Sequence, residues 1–452
     1  MKKSRIKLTT SQFILIGFLA VIFVGSILLS LPISSADGKG IPYIDALFTA
    51  TTSTCVTGLV TMPTFSTFST VGHVVILLLI QIGGLGIVAV LSGFMLMLNR
   101  RLGVADRLLI QDAFNLNTLS GLVRFVKKVF IGTAIIEGIG AILYMPVFIP
   151  QFGLRGVWIS VFNSVSAFCN AGIDIISENS LCDYALNPLV NFVTAALIVL
   201  GGLGYVVWWD VIRVLELKRR KKIKIWKTLS LQSKIVFSAT FSFLLIGTVG
   251  VFLFEFNNPE TFGDFTLPQK LMASFFQSVT TRTAGFATVP QENLTNASAL
   301  LSVFLMFVGG SPVGTAGGVK TVTMIVIIAT AISVVKNKND VSLFGRRLSE
   351  TAIRKALAVT SVSFAIALIS TIALSAVTDA SALDIIYETV SATATVGLTR
   401  SLTPSLNNWG KLIIIATMYF GRVGPISLAF ALRGKNKNEN IIKNPTEEIS
   451  VG

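Results

Sequence analysis

Four tetrads of small residues, each containing one glycine, recur along the 452-residue chain. Their glycines are separated by 114, 113 and 112 residues. One such glycine is explained as readily by a turn or by the C-terminal cap of a helix. Four at nearly constant spacing indicate an internal repeat. The tetrads are Val56-Thr57-Gly58-Leu59, Asn170-Ala171-Gly172-Ile173, Thr283-Ala284-Gly285-Phe286 and Thr395-Val396-Gly397-Leu398.

The residue types in the tetrads suit coordination of a dehydrated cation by backbone carbonyl oxygens. Glycine permits the φ and ψ angles that turn successive carbonyls towards one axis. Carbonyls replace the water shell of an ion without adding fixed charge, so the ion can still leave. No tetrad contains a carboxylate, which argues against a divalent-selective acidic ring, and none offers a ring of cations for an anion. Arg282, beside the third tetrad, is interpreted as an anchor between loop and helix.

A short, moderately apolar segment rich in Phe, Ser, Thr and Ala precedes each tetrad. We predict that each segment is a half-length helix whose C-terminal, partly negative end favours a cation. Non-helical backbone at membrane depth persists only where it is buried or lines a watery cavity. Four such loops around one axis therefore predict a pore. The short segments are 41–53, 155–167, 268–280 and 382–392.

The composition places these elements in a membrane. Residues of the apolar class make up 52% of the chain, charged residues only 13%, and the mean hydropathy is +0.76. A soluble domain carries about 25% charged residues, so an ordinary globule and a disordered chain are both excluded. A spanning helix needs about 20 mostly apolar residues. Eight stretches meet this requirement and are predicted to be spans: 11–32, 72–98, 123–149, 188–215, 231–256, 297–335, 351–378 and 410–433.

The charge distribution predicts the orientation of these spans. Most of the 37 Lys and Arg residues lie near the termini and in alternate connections, and basic connections stay on the cytoplasmic side. The basic run 218–224 directly follows a predicted span, so it favours a topology and lipid-surface signal over a nucleic-acid patch. Both termini are predicted to be cytoplasmic.

The predicted fold is an all-α membrane protein of four concatenated repeats. Each repeat consists of a span, a pore helix, a filter loop and a second span, and the four surround a pseudo-fourfold pore axis. All four begin and end on the cytoplasmic side, so they are parallel repeats. The predicted repeats are 8–98, 121–217, 230–336 and 350–434, with cytoplasmic termini at 1–7 and 435–452.

The remaining motifs give little support to an enzyme. The single histidine, His73, excludes a histidine-built metal site or triad. Cys55 and Cys169 border tetrads and are interpreted as small packing residues. The runs Gly83-Gly84-Leu85-Gly86 and Gly201-Gly202-Leu203-Gly204 resemble fragments of a dinucleotide motif, but they lack its strand–helix context and favour close helix packing.

The sixth predicted span is interrupted by a glycine-rich loop, residues 309–320. Each interior glycine costs a helix about 1 kcal/mol and proline about 3 kcal/mol, so the run is either a packed kink or a flexible intramembrane loop below the tetrads. It partly fits a phosphate-binding loop, but Val319 stands where that motif needs glycine, so no nucleotide site is predicted. Its candidate gating residues are Gly309, Gly310, Ser311, Pro312, Gly314, Thr315, Gly317, Gly318 and Lys320.

Arg422 lies inside the last predicted span. A charge at that depth costs several kcal/mol unless it faces water or a partner. One interpretation is a structural ion pair, for example with Glu137, the only carboxylate clearly within a span. The other is an arginine that faces the conduction path.

The fourth tetrad resembles the potassium-channel filter sequence Thr-Val-Gly-Tyr, and the other three are interpreted as degenerate copies. Four non-identical span–loop–span units in one chain are similar to the Trk/Ktr/HKT superfamily of potassium transporters. Without an extra helix pair before the first repeat, the chain resembles the Ktr branch, with its KtrB-like membrane subunits. In that superfamily, glycine in all four loops is associated with potassium selectivity, and serine in the first loop is associated with sodium permeation. The first tetrad departs from the channel pattern, with Val56-Thr57 where the channel has Thr-Val.

The resemblance implies further properties. They are a gating loop in the third repeat, an electrostatic barrier at Arg422 that contacts this loop, and K⁺ as the transported ion with Na⁺ as an activator. It also implies a homodimer in the bacterial plasma membrane and a separate cytosolic RCK-type (KtrA-like) nucleotide-binding ring, with no nucleotide on this chain. The alternative is a secondary transporter for a small cationic solute, although that class usually shows inverted repeats and midplane acidic residues.

Overall fold

The computed structural model describes residues 10–97, 103, 108, 110–111, 121–220, 224–338 and 340–424. The predicted termini 1–7 and 435–452, and the outer ends of the first and fourth predicted repeats, lie outside the described residues.

Helices dominate the described residues. In the first half of the chain they are α1 (Thr10–Ser30), α2 (Tyr43–Cys55), α3 (Thr64–Thr67), α4 (Thr70–Leu85), α5 (Ile87–Met97), α6 (Leu122–Phe152), α7 (Arg155–Cys169), α8 (Pro188–Leu203), α9 (Tyr205–Arg220) and α10 (Ile225–Thr228). In the second half they are α11 (Leu231–Glu255), α12 (Leu267–Thr280), α13 (Asn296–Phe307), α14 (Thr321–Val335), α15 (Glu350–Ser375), α16 (Ala382–Ala394) and α17 (Asn408–Val423). A small hairpin pairs β1 (Ser342–Leu343) with β2 (Arg346–Arg347), and single 3₁₀ turns occupy Pro32–Ser34, Cys182–Tyr184 and Thr403–Ser405.

Four helices, α1, α6, α11 and α15, are each long and apolar enough to cross a membrane. Their outward faces expose large apolar side chains such as Ile142, Phe241 and Ile369, each more than 60% exposed. Such a surface belongs in a lipid environment rather than in water. The fold is therefore that of a helical membrane protein.

The short helices α2, α7, α12 and α16 lie at the four positions predicted for half-length helices. Each packs against the long helix that precedes it. The helix after each tetrad then packs against the short helix of the next unit: α4 on α7, α8 on α12, α13 on α16, and α17 back on α2. The four units therefore form a closed ring.

Two of the predicted spans, 72–98 and 188–215, are not single straight helices. The chain bends by 99° between α4 and α5 and by 92° between α8 and α9. The breaks fall at Gly86 and Gly204, whose φ angles of +85° and +88° are rarely adopted by other residues. Gly424 ends α17 with a φ of +87° in the same way. The packing interpretation is therefore wrong for Gly86 and Gly204, which turn the chain instead.

Close packing does account for the first glycine of these runs. A Cβ on Gly83 would overlap the carbonyl oxygen of Thr54, and a Cβ on Gly201 would overlap that of Phe168. The predicted span 297–335 consists of α13 and α14 with the glycine-rich loop between them.

An ion pair closes the ring between the last unit and the first. Lys411 Nζ on α17 lies 2.6 Å from Asp45 Oδ1 on α2, and the two side chains are 14% and 9% exposed. Removing one partner of a buried pair leaves the other charge uncompensated, which costs about 3–5 kcal/mol. The pair therefore holds together two elements that are 366 positions apart in sequence.

We expect Lys411→Met to lower stability by about 3 kcal/mol, because Asp45 is left charged and buried. The measurement is the thermal unfolding midpoint of the purified protein in detergent. Arg354→Met is the matched control, since the ion pair of Arg354 with Glu350 is exposed at both ends and is worth about 0–1 kcal/mol. Equal midpoints for the two variants would contradict the role of the pair in ring closure.

Candidate ion-binding site

The four tetrads share one backbone conformation. Their first residues, Val56, Asn170, Thr283 and Thr395, have φ between 52° and 64°, in the left-handed region. In the first, second and fourth units this residue caps the short helix directly. In the third unit, α12 ends at Thr280, before the tetrad. Two residues further on, the tetrad glycines also have positive φ, from 64° to 103°.

Hydroxyl groups six residues before the glycines hold this conformation. The Gly58 N–H donates to Thr52 Oγ1 at 2.9 Å, and the Gly397 N–H donates to Ser391 Oγ at 3.0 Å. Ser166 holds the second loop through Ile173, whose N–H donates to Ser166 Oγ at 3.2 Å. In the third unit the residue six positions before the glycine is Val279, which has no hydroxyl. The hydroxyl of its neighbour Thr280 donates to Phe286 O instead. The sequence analysis missed these residues, although a Ser or Thr six residues before three of the four glycines could have signalled them.

The tetrads converge on a common centre. A Cβ on Gly58 would lie 2.6 Å from Ala171 O, one on Gly172 2.5 Å from Ala284 O, and one on Gly285 2.5 Å from Val396 O. A Cβ on Gly397 would overlap Thr57 O, which completes the circle. Each glycine thus faces a carbonyl of the next tetrad in chain order, and the last faces the first.

All sixteen tetrad residues are buried. The fourth residues of the tetrads lie in apolar clusters: Ile173 and Phe286 in the largest, and Leu59 and Leu398 in two smaller ones. These large side chains anchor the loops in the surrounding core. The backbone of each tetrad, rather than these side chains, therefore faces the common centre.

A cavity of about 370 Å³, here called the glycine cavity, is lined by all four tetrad glycines. The carboxylate residues Asp174, Glu178 and Glu292 also line it. Most of its other lining residues follow the tetrads in sequence. The arrangement presents acidic groups to a cation that approaches the tetrads from this end.

Asp174 is the buried acid of the glycine cavity, at 9% exposure. Its Oδ1 accepts a hydrogen bond from the Ile176 N–H at 3.2 Å. Burial raises the pKa of Asp174 to about 6, because the charged form is poorly solvated; hydrogen bonds from Ile176 and Ser180 oppose this shift only in part. The group therefore loses its negative charge as the pH falls through about 6.

A second cavity of about 330 Å³, here called the arginine cavity, is lined by the glycine-rich loop together with Lys320 and Arg422. The loop packs on the bend of the second unit: the Ser311 N–H donates to Gly202 O at 2.8 Å, and the Tyr205 N–H donates to Val313 O at 3.0 Å. This loop contacts the first residues of three tetrads, Asn170, Thr283 and Thr395. The two cavities therefore lie at opposite ends of the tetrads.

Arg422 contacts backbone carbonyls rather than a carboxylate. Its Nη1 donates to Thr315 O at 2.7 Å and its Nη2 donates to Gly83 O at 2.5 Å. The predicted alternative of an ion pair with Glu137 is wrong: Glu137 Oε2 accepts from Gln81 Nε2 at 3.1 Å, and no ion pair of Arg422 occurs among residues 10–424 that are described. Carbonyl dipoles of two different units therefore stabilise the guanidinium.

Two further cations touch the glycine-rich loop. Lys320 Nζ donates to Ala316 O at 2.6 Å, within the loop itself. The buried Arg282 Nη2 donates to Gly309 O at 3.4 Å. The second contact joins the third tetrad to the end of α13, as expected of an anchor between loop and helix.

Comparison with known proteins identifies the family of the chain. Residues 5–442 match the TrkH family, described as cation transport proteins. The crystal structure of the potassium transporter TrkH from Vibrio parahaemolyticus has the same fold, with a TM-score of 0.74 at 15% identity, over 96% of this chain and 87% of that one. The fold is thus that of TrkH, and the chain belongs to the TrkH family of cation transport proteins.

Within that family the chain is most usefully compared with two full-length relatives. It is 38% identical to the Ktr system potassium uptake protein B of Bacillus subtilis, over 99% of this chain and 98% of the relative. It is 37% identical to the potassium/sodium uptake protein NtpJ of Enterococcus hirae, over 100% and 99%. The predicted resemblance to the Ktr branch is confirmed, and the family is one of transporters rather than enzymes.

We expect cation uptake to depend on the charge of Asp174. As the pH on the side of the glycine cavity falls from 7.5 to 5, Asp174 becomes neutral and the apparent cation affinity drops about fivefold, since a charge a few ångströms from a cation in a watery cavity is worth about 1 kcal/mol. Asp174→Asn has the low affinity at both pH values. The measurement is the half-saturating cation concentration in proteoliposomes.

Glu178→Gln is the control, because Glu178 lines the same cavity but is exposed. It retains the pH dependence of the parent chain. A pH dependence that survives in Asp174→Asn would assign the titration to another group.

Proposed function

We propose that the chain is a potassium-selective uptake channel or transporter subunit whose four tetrads form the selectivity filter of one pore. The observation that carries the proposal is the cyclic contact of the tetrads, in which each glycine faces a carbonyl of the next. Only a ring of backbone around a common centre gives this pattern. A single chain then supplies the whole filter, so each protomer has its own pore.

The chemistry of the ring favours an alkali cation. Backbone carbonyls replace the water shell of an ion without fixed charge, and the tetrads contain no carboxylate that would hold a divalent ion. The short helices end at or just before the tetrads, so the negative ends of their dipoles favour a cation there. Gly58, Gly172, Gly285 and Gly397 together correspond to the potassium-selective pattern of the superfamily.

The glycine-rich loop and Arg422 form the proposed gate. Arg422 bridges Thr315 of the loop to Gly83 of the first unit, and Lys320 lines the same cavity. Neither has a carboxylate partner among the described residues. Two such positive charges at one end of the filter are an electrostatic barrier to a cation, and moving the loop away would lower it.

The proposed membrane arrangement has eight spans, in which each bent pair and the pair α13 and α14 count as one span. The four parallel repeats and both termini then have the orientation predicted from the basic connections, in the bacterial plasma membrane. We further propose a homodimer regulated by a cytosolic nucleotide-binding ring, with Na⁺ as an activator. These points follow from the resemblance to Ktr systems.

The burial of Glu137 favours the alternative of a secondary transporter, since buried carboxylates bind coupling ions in such proteins. Its carboxylate is held by Gln81 and lies 3.9 Å from Cys169 Sγ. Glu137 lines neither the glycine cavity nor the arginine cavity. The carbonyl ring therefore remains the preferred conduction site.

We expect Gly58→Ser to reduce K⁺ flux at least tenfold and to weaken discrimination against Na⁺. A side chain at a φ of +103° is strained, and its Cβ would lie 2.6 Å from Ala171 O. The measurement is Rb⁺ uptake into proteoliposomes against competing K⁺ and Na⁺, together with rescue of a potassium-uptake-deficient bacterium at low K⁺. Gly138→Ser is the matched control, because Gly138 has no neighbour within 4 Å of an added Cβ.

The proposal fails if the parent chain inserts into the membrane and does not restore growth at low K⁺. It also fails if Gly58→Ser and Gly138→Ser discriminate equally between K⁺ and Na⁺.

We expect Arg422→Ala to raise K⁺ flux per molecule several-fold, because the variant loses both the barrier charge and the bond to Thr315 O. Flux is divided by the amount of protein in the membrane. Arg354→Ala, an exposed arginine, leaves flux per molecule unchanged. Less protein in the membrane with unchanged flux per molecule would assign Arg422 a structural role only.

A further inference from the structure

A small cavity lies where the second and third units meet, and it is here called the Arg282 cavity. Its walls come from α8, α11, the end of α12 and the start of the glycine-rich loop. It leaves about 10 Å³ for the centre of a water-sized particle, which is room for a single small ligand. Thr240 and Arg282 are the lining residues with polar side chains, and the other lining residues are apolar or glycine.

Arg282 brings a buried positive charge to this cavity. The residue is 7% exposed, and a guanidinium has five hydrogen-bond donors. Among the described residues the guanidinium makes one hydrogen bond, from Nη2 to Gly309 O at 3.4 Å, whereas Nε has no partner. None of the ion pairs in the described part of the chain includes Arg282. Because a buried charge without a counter-charge is costly, a negative ligand beside Arg282 would stabilise it.

Two further hydrogen-bond donors of the cavity wall are unpaired. Thr240 Oγ1 has no partner among the described residues, although Thr240 is only 7% exposed. Thr248 on the same helix behaves differently, since its hydroxyl donates to Leu244 O, the carbonyl four residues earlier. The N–H of Gly310 likewise has no partner within the described ranges. Buried polar groups are normally paired, because leaving one unpaired is costly. Three separate elements therefore contribute unpaired donors to one small cavity.

We propose that the Arg282 cavity binds one small monovalent anion of the halide class. The anion accepts hydrogen bonds from the Arg282 guanidinium, the Thr240 hydroxyl and the Gly310 N–H, so a single ligand satisfies all three. The inference goes beyond the proposed function of the tetrads and does not depend on it.

The chemistry of the wall limits the ligand. A cation is repelled by the guanidinium, and no lining residue of the cavity is a carboxylate. A water molecule can accept hydrogen bonds from two of the donors, but it leaves the charge of Arg282 uncompensated. A phosphate group is larger than the space available. Hydrogen bonds between charged groups are about twice as strong as neutral ones, so a halide matches both the charge and the size of the site.

The position of the site gives the anion a structural effect. Arg282 lies between α12 and the third tetrad, Thr240 lies on α11, and Gly310 belongs to the glycine-rich loop. An anion that bridges these groups joins the three elements, and it offsets a charge that the protein leaves without a carboxylate. A ligand that binds only the folded state raises the unfolding temperature. The stability of the chain should therefore depend on the anion in solution.

Thermal unfolding of the purified full chain in detergent tests the proposal, with potassium chloride compared against potassium gluconate at equal ionic strength. Gluconate is too large for the cavity, so we expect the unfolding midpoint to be about 3 °C higher in chloride. Thr240→Val removes the hydroxyl but keeps the size of the side chain, and it loses at least half of this difference. Thr360→Val is the matched control and retains the full difference, because Thr360 on α15 also has a buried, unpaired hydroxyl but does not line the cavity.

Arg282→Gln removes the charge of the site, and its midpoint is expected to be the same in both salts. Arg354→Gln is its control and retains the difference, because Arg354 is an exposed arginine. If Arg282→Gln does not fold, Thr240→Val decides the test by itself, since it removes neither a charge nor a large group.

Bromide locates the anion directly, because its anomalous scattering distinguishes it from water in crystals of the full chain. We expect one bromide within hydrogen-bond distance of Arg282, Thr240 and Gly310. Equal midpoints of the parent chain in chloride and gluconate would overturn the inference. A chloride effect that survives in full in Thr240→Val would also overturn it, as would a crystal grown in bromide with only water in the cavity.

Rubidium flux of the parent chain separates this inference from the proposed function. Absence of selective flux refutes the filter and leaves the anion site in place. Absence of a chloride effect refutes the anion site alone.

Discussion

The whole structure depends on the contact between each tetrad glycine and a carbonyl oxygen of the next tetrad. No side chain fits there, since an added Cβ would approach within 2.6 Å of the carbonyl or closer. The contact fixes the ends of four short helices within a few ångströms of one another. Everything else in the ring supports that closure: the hydroxyls of Thr52, Ser166 and Ser391, the apolar anchors of the fourth tetrad residues, and the ion pair of Lys411 with Asp45.

The ring departs from fourfold symmetry in the third unit, and this departure creates the candidate gate. In the other three units a glycine packs on the end of a short helix, and a second glycine three residues later, Gly86, Gly204 or Gly424, turns or ends the helix. In the third unit the corresponding stretch is the glycine-rich loop, which lies under the tetrads. A nearly symmetric ring of tetrads is thus combined with an asymmetric element at one end, and Lys320 and Arg422 line the cavity at that end.

Three buried ionisable side chains of the described residues are stabilised by neutral groups rather than by an ion pair. Arg422 is held by two carbonyls, Arg282 by one, and Glu137 by an amide. Burying a charge without a partner of opposite sign is costly, so the arginines donate hydrogen bonds to backbone carbonyls and the Glu137 carboxyl accepts one from Gln81. The arginines keep their full positive field within the membrane region as a result. Such a field suits a barrier to cations better than a neutralised ion pair would.

The amino-acid sequence by itself determined the membrane class, the four tetrads, the short helices before them and the family resemblance. These features follow from local composition and from spacing along the chain, so they can be predicted without knowledge of distant contacts. Only the tertiary structure decided that Gly86 and Gly204 bend the chain, that Arg422 meets Thr315 and Gly83 rather than Glu137, and that the glycine-rich loop bonds to Asn170 and Thr283. Partners that lie 34 to 339 residues apart are set by how four units close into a ring. The periodicity of one segment carries no information about which face of another it will meet.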